Sequence, residues 1–379
     1  MRLTLGFAIV LVPAWGCLAA ALAASLRFAR RGRARARYTP PVSILKPLYG
    51  AEPGLYENLR SAAEQDYPCQ QLVLGVAARE DGAVPVAGAV IGDLPERDIA
   101  LVIEPRGHGS NAKVSNLINM LPAARHDVLV IADSDIRVGR GYLAAVVAPL
   151  ADSRVGLVTC LYRGVPEGGL WSQLGALHVN FGFLPAALLA EALGAGGGCF
   201  GATIAIRRPV LERCGGFARL RNELADDYRI GEAVRKLGLE IVLSPYLVET
   251  RVSEPRFLDL WRHELRWART MRLIAPAGYA GSILMYPVPL ALLAAAADRF
   301  GLTSCAFLAI SCLLRWASAR LAAGALGLGT AKLWLLPVRD LLSFAVFLAS
   351  FLGRGVVWRD QAFRVEASGC LKVDGDTVR

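Results

Sequence analysis

The sequence predicts an α/β domain with a mainly parallel sheet, held among apolar segments that enter a membrane. Three observations predict it. From Pro40 to about Arg272, short apolar or β-branched runs alternate with helical patterns, the texture of βαβ units. Residues 3–26 contain no charge over 24 positions, and apolar segments return after Tyr279. Hydrophobic residues make up 54% of the 379, yet 20% are charged, too many for a chain wholly inside lipid.

The first segment, within 1–27, is long enough to cross ~30 Å of hydrocarbon. Arg27, Arg30, Arg31, Arg33, Arg35 and Arg37 follow it and give residues 28–39 the character of a basic juxtamembrane linker. A heavy basic cluster after the apolar run predicts a retained anchor with its C-terminal side in the cytoplasm rather than a cleaved leader. The α/β domain is expected over 40–254, with strands at 42–48, 71–77, 99–105, 128–133 and 155–160. Continuous apolar runs of this kind suit strands covered on both faces. Residues 255–277 read as an amphipathic interfacial helix, for which Trp261, Arg262, Trp267, Arg269 and Arg272 are apt. Over 278–353, segments 279–297, 302–323 and 333–352 approach spanning length. Arg315, Arg339 and Asp340 fall within or beside two of them, which is costly in lipid unless the charges pair or reach the surface. A re-entrant or interfacial reading of these segments stays open. Residues 354–379 form a polar tail.

The formal net charge is +10. Its clustering beside an apolar segment, with no nucleic-acid-binding motif, points to a membrane or a phosphorylated substrate and away from nucleic acid. Eight scattered cysteines without a CxxC pair fit reduced thiols and argue against a disulfide framework or zinc site.

Chemistry concentrates at three places. Asp133-Ser134-Asp135 leaves the strand VLVIAD, where ligands bind in open α/β sheets. Two carboxylates there suit Mg²⁺ or Mn²⁺, which keeps coordination places for phosphate oxygens. A solvated turn has the same pattern. Asp226-Asp227 opens a helical pattern. The pair either caps that helix and complements its dipole or supplies Asp227 as a general base. His263, Arg266 and Trp267 share one helix face at i, i+3 and i+4, so they can address one site as well as a membrane surface. Arg266 suits a diphosphate, and Trp267 an apolar acceptor. Lys46 and Glu52 follow the first strand, a usual place for nucleotide contacts. The stretch 107–113 can bring Lys113 to a phosphate. The glycine-rich stretch 196–203 permits close approach of a ligand or is an ordinary turn, and Thr203 at its end is an acceptor-side candidate. His126 and His178 read as loop or packing residues.

These pieces occur together and in order. On SILKPLYGAEPGLYENL, EQDYP, KVSNLINML, IADSDIRV, LADDYRIGEAVRKLG and HELRWART, the chain resembles the GT-A family of processive and lipid-linked glycosyltransferases, and within it the ceramide glucosyltransferase group. On TCLYRGVP, CFGATIAIRR and LSPYLVET it is similar to the bacterial hopanoid-pathway branch, taken to add N-acetylglucosamine to bacteriohopanetetrol. The resemblance implies a Rossmann-like GT-A fold and inverting, metal-dependent transfer from a UDP-sugar to a membrane lipid. It also implies a multi-pass protein of the bacterial inner membrane with its catalytic domain facing the cytoplasm. Carried over, the early carboxylate is Asp81, the metal-associated one Asp133 (aided by Asp135), and the base Asp227. Lys46, Glu52, Lys113 and Arg266 would serve the UDP-sugar, and His263, Trp267 and Thr203 the acceptor. The closing motif usually begins with Gln or Arg; here it begins with His263. Glucosylation of ceramide or another lipid is the alternative within this class. A non-catalytic nucleotide-binding transport or scaffold protein is the alternative outside it, motivated by Arg315, Arg339 and Asp340.

Overall fold

The computed structural model describes residues 2–32, 38–194, 198–330, 332–353, 355–358, 361–365 and 371–373. Arg33, Arg35 and Arg37 of the basic linker, Gly196 and Gly197 of the glycine-rich stretch, Cys370 and most of the polar tail lie outside the described residues. The chain sorts into two units.

The α/β unit comprises Gly32–Val165, Gly197–Arg251 and Phe363–Arg379. Its strands are β1 (Val42–Pro47), β2 (Gln70–Val76), β3 (Ile99–Ile103), β4 (Val128–Ile131), β5 (Ile136–Arg137), β6 (Val155–Thr159), β7 (Tyr162–Pro166), β8 (Ile204–Arg207), β9 (Glu240–Leu243) and β10 (Val248–Val252). Seven form one sheet in the order β3-β2-β1-β4-β8-β6-β9. β1, β2, β3 and β4 run parallel, as do β6 and β9, while β8 runs antiparallel to both of its neighbours. The expected mainly parallel sheet is present, with one reversed strand beside β4.

Alternation along the strands builds two cores. Ile44, Leu72, Leu74, Val128 and Val130 face one cluster together with Leu55, Leu59 and Ala87 of the helices Leu55–Ala63 and Ala83–Asp93. Leu45, Val73, Leu129 and Ile131 face the other, with Val114, Leu117 and Met120 of Ala112–Met120 and Ile230 and Val234 of Asp226–Lys236. Burial of each such side chain contributes roughly 1.5–3 kcal/mol. The helix Ala112–Met120 lies so close to the sheet that a Cβ on Gly75 would stand 2.3 Å from Asn116 Oδ1. Asn116 uses that closeness to donate to Gly75 O at 2.7 Å. A smaller sheet, β5-β10-β7, forms beside the end of β4.

The helical unit comprises Met1–Arg31, Pro166–Gly196 and Val252–Ala362. Among the described residues, four helices are long and apolar enough to cross a membrane: Gly6–Ala29, Leu170–Ala192, Leu302–Leu326 and Leu333–Ser350. The pair Pro276–Met285 and Pro287–Ala297 passes the same test but bends by 66°. So 279–297 is broken where Pro287 and Pro289 interrupt it, consistent with their missing N–H groups. Within the span 40–254, expected as one domain, residues 166–196 sort with the helical unit. The helix there carries Ser172, Gln173, His178 and Asn180, and it is less apolar than Gly6–Ala29. A turn of π-helix, Val179–Phe183, lies within it. The charges flagged in the sequence are paired: Arg315 grips Asp340 at 2.8 and 2.9 Å, and Arg339 grips Glu264 at 2.8 Å twice.

Candidate active site

The loop leaving β4 is built from below. Lys46, on β1 and 1% exposed, sends its ammonium to Asp133 O at 2.7 Å and Ile136 O at 3.1 Å. Burial pushes the Lys46 ammonium down to about 8, against the carboxylates of Asp135, Asp133 and Glu52, which hold it up. Lys46, expected at the nucleotide, pins the acidic loop: a buried ammonium needs acceptors, and the loop carbonyls supply them. Glu52 accepts from Ser134 Oγ at 2.7 Å, and Asn58 Nδ2 donates to Ser134 O at 3.2 Å. Asp81 Oδ1 accepts from Gly50 N and Ala83 N, both at 2.8 Å, tying the segment after β1 to the start of Ala83–Asp93.

The two carboxylates of the Asp-x-Asp pair part company. Asp135 accepts from Thr250 Oγ1 of β10 at 2.5 Å, beside the pairing of Thr250 with Ile136. Burial raises the Asp135 carboxyl above its usual range, and neighbouring Asp133 adds to that. Asp133 instead meets Lys113 Nζ, Oδ1 to Nζ being 2.6 Å.

Lys113 stands in the first turn of Ala112–Met120, whose N-cap Asn111 accepts from Val114 N at 3.0 Å. Its ammonium also lies 3.7 Å from Asp226 Oδ2. Burial works to lower Lys113, but Asp133 and Asp226 hold it well above its ordinary value. Asp227 Oδ2 accepts from Gly201 N and Oδ1 from Tyr228 N, each at 2.8 Å. Burial and the adjacent Asp226 push the Asp227 carboxyl up to about 6, with Lys113 pulling the other way. Burial raises Asp226 too, Lys113 again opposing. Gly201 is the meeting point: a Cβ there would lie 3.2 Å from Asp227 Oδ2, 3.5 Å from Lys113 Nζ and 3.6 Å from Asp133 Oδ2. Residues up to 114 positions apart thus form one cluster of three carboxylates and an ammonium.

A carboxyl near 6 with two backbone donors is oriented and able to accept a proton at neutral pH. For a divalent cation, no three His, Cys, Asp or Glu side chains form a ready cage among the described residues. Asp133, with its side chain 35% exposed, is the carboxylate open to a hard cation. One such carboxylate fits Mg²⁺ or Mn²⁺, which fill most of their shell with water and phosphate oxygens.

Thr203, expected on the acceptor side, is fully buried, and its hydroxyl meets Tyr142 Oη at 3.0 Å. The remaining expected residues belong to the helical unit, on the helix Phe257–Ile274. His263 Nδ1 lies 2.5 Å from Glu254 Oε1, and its ring stands edge-on to Trp267 with centroids 4.3 Å apart. Arg266 O accepts from Thr270 Oγ1 at 2.8 Å. Glu254, Thr250 and Glu264 escaped the sequence reading. Only Glu264 had a signal, four residues after the apolar Leu260 on the inner stripe of its helix.

The profile of glycosyl transferase family 21 matches residues 7–371. The chain is 24% identical over 238 residues to ceramide glucosyltransferase 1 of Caenorhabditis elegans, covering 62% of this chain and 51% of that protein. It is 32% identical over 138 residues to a ceramide glucosyltransferase of Gibberella zeae, covering 34% of this chain and 26% of that one. It therefore spans about half the length, or less, of these curated relatives. Among solved structures, a mannosyltransferase from Pyrobaculum calidifontis, in complex with GDP-mannose and Mn²⁺, superposes with a TM-score of 0.58 at 21% identity. That alignment covers 92% of this chain and 99% of the other, and the likeness shows a shared GT-A fold.

Proposed function

Because the chain belongs to glycosyl transferase family 21, we propose that it transfers a sugar from a UDP-sugar to a hydroxyl of a membrane lipid, with inversion at the anomeric carbon. The observation that carries this reading is the gathering of Asp133, Asp226, Asp227 and Lys113 around Gly201. In the proposed step, Asp227 takes the proton of the acceptor hydroxyl as its oxygen bonds to the anomeric carbon. The bond from that carbon to the diphosphate breaks, and UDP departs with the electron pair. A single carboxylate base suffices for one in-line displacement. Lys113 lies beside Asp133 and can neutralise charge developing on the leaving diphosphate. Bound through Asp133, Mg²⁺ or Mn²⁺ would supply Lewis-acid stabilisation of that leaving group.

The remaining assignments rest on motif resemblance: Arg266 for the diphosphate, with Trp267 and His263 for the acceptor. Glu52 and Asp81 brace the loops after β1 and β2 and are proposed to shape the uridine side. We assign N-acetylglucosamine as the sugar and a hopanoid such as bacteriohopanetetrol as the lipid. The names of the curated relatives favour a second reading, glucosylation of ceramide or a similar lipid. The four apolar helices and the arginines after the first of them support a multi-pass bacterial inner-membrane protein with the α/β unit in the cytoplasm. The transport or scaffold alternative loses its motive, since Arg315 with Asp340 and Arg339 with Glu264 form closed pairs.

Mass spectrometry of lipid extracts from cells with and without the gene tests the assignment. An N-acetylhexosamine-bearing hopanoid that disappears with the gene is expected. Loss of a hexosylceramide instead selects the second reading, and unchanged lipids contradict both.

A further inference from the structure

We propose that Arg339 and Glu264 are positioning residues for sugar transfer, whose ion pair sets the rotation of the helix carrying His263, Arg266 and Trp267. The inference rests on the reading of Arg266 and Trp267 given above. Arg339 is the largest fully buried side chain among the described residues, at 1% exposure, and it lies on Leu336–Ser350, in a segment apolar enough to span a membrane. Four of its five N–H groups are engaged: two on Glu264, at 2.8 Å each, one on Leu174 O at 3.4 Å and one on Ser343 Oγ at 3.1 Å. It thus ties three helices together, Leu170–His178, Phe257–Ile274 and Leu336–Ser350.

Stability does not explain keeping such a pair. Apolar residues of similar volume commonly replace a buried ion pair without loss. What a bidentate pair adds is direction, because planar guanidinium and carboxylate meet in one orientation. Glu264 stands between His263 and the Arg266-Trp267 dipeptide. At 3.6 residues per turn, Trp267, His263 and Arg266 project about 60°, 100° and 160° round the helix from Glu264, so the ion pair holds the helix by a different face from the one that presents the motif. Fixing Glu264 fixes them all. Rotating the helix by about 10° would move a group ~6 Å off its axis by about 1 Å. A misplacement of that size lowers rate by up to about a hundredfold.

The helical unit contains its own control. Arg315 and Asp340 form a second bidentate buried pair, between Leu302–Leu326 and Leu336–Ser350, and neither residue is on the motif helix. The test compares two apolar replacements of the full chain in detergent or vesicles, Arg339→Met with Glu264→Leu and Arg315→Met with Asp340→Leu. Each is assayed for Tm, for KM of the UDP-sugar and for kcat. The first is expected to keep its Tm and, within about threefold, its KM, while kcat falls about 10- to 100-fold. The second is expected to keep kcat within about twofold. Should the first double variant fail to fold, Glu264→Asp retains the charge and withdraws it by one methylene, and its kcat is expected to fall at unchanged Tm. Wild-type kcat in the first double variant or in Glu264→Asp overturns the inference, as does an equal loss in both double variants. Arg266→Ala is run alongside: full activity there overturns the motif reading itself, whereas loss there with full activity in the pair variants overturns only the positioning role.

Discussion

Replacing Gly201 by alanine separates the cluster's function from its stability. Gly201 has no positive φ that would penalise a side chain, so the new methyl acts through the space it fills. That space is closest to Asp227 Oδ2, at 3.2 Å, a few tenths of an ångström inside ordinary contact, while Lys113 Nζ at 3.5 Å and Asp133 Oδ2 at 3.6 Å are normal neighbours. The folded state bears a small strain, and the unfolded chain loses freedom, which for Gly→Ala contributes about 0.4–1 kcal/mol in favour of folding. The two nearly cancel, so Tm should move by only a few degrees. Activity has no such compensation. The methyl stands among the three groups proposed to manage the acceptor proton and the diphosphate. Displacing a reacting group by a fraction of an ångström to 1 Å lowers kcat/KM by roughly 10- to 100-fold. Initial rates of lipid glycosylation, set beside Tm of the same preparations, measure both. Wild-type kcat/KM in a well-folded Gly201→Ala protein would refute the location of the site.

Asp133→Asn should abolish metal-dependent binding of the UDP-sugar, and an unchanged metal titration by calorimetry counts against Asp133 as the metal carboxylate. Lys46→Met leaves the carbonyls of Asp133 and Ile136 without their shared donor. A loss of roughly 1–3 kcal/mol is expected in denaturant unfolding, and no change would contradict the pinning role. With the Asp227 carboxyl near 6 and required as a base, kcat/KM should fall about tenfold per pH unit below that value and level off above it. A flat profile from pH 5 to 7 disproves that role. Because its folded-state value is raised, Asp227 favours the folded state when protonated, and that contribution is lost as pH rises through about 6. The Tm of Asp227→Asn relative to wild type should therefore be more favourable at pH 7.5 than at pH 5, and the opposite trend contradicts the buried-charge account.

The fold and the acidic cluster were legible for related reasons. β4 is covered on both faces and so reads as an unbroken apolar run, and a carboxylate just beyond such a run stands where ligands bind. Direction was not legible. Position after a strand suits a nucleotide contact and a buried pin equally, and the packing that makes Lys46 a pin leaves no trace in the sequence around it. Asp133 and Asp135 look alike in sequence. They part because β5 pairs with β10, more than a hundred residues away, and brings Thr250 to Asp135. Thr203 looked available in a glycine-rich stretch until Tyr142 covered it. The helix Leu170–Ala192 escaped notice as a spanning segment because its buried polar residues, Ser172 and Asn180 among them, dilute its apolar pattern. Arg315, Arg339 and Asp340 stood out as anomalies, but pairing between separate helices leaves no local trace.

The proposed transfer requires Asp227 to act at a bilayer-borne alcohol. Its most direct test supplies purified wild-type and Asp227→Asn protein, in vesicles of host lipid with Mn²⁺, with radiolabelled UDP-sugar. Label should enter the organic-extractable lipid with wild type alone, while both proteins bind the donor comparably. Equal labelling by the two proteins, or label released only as free sugar, would contradict it.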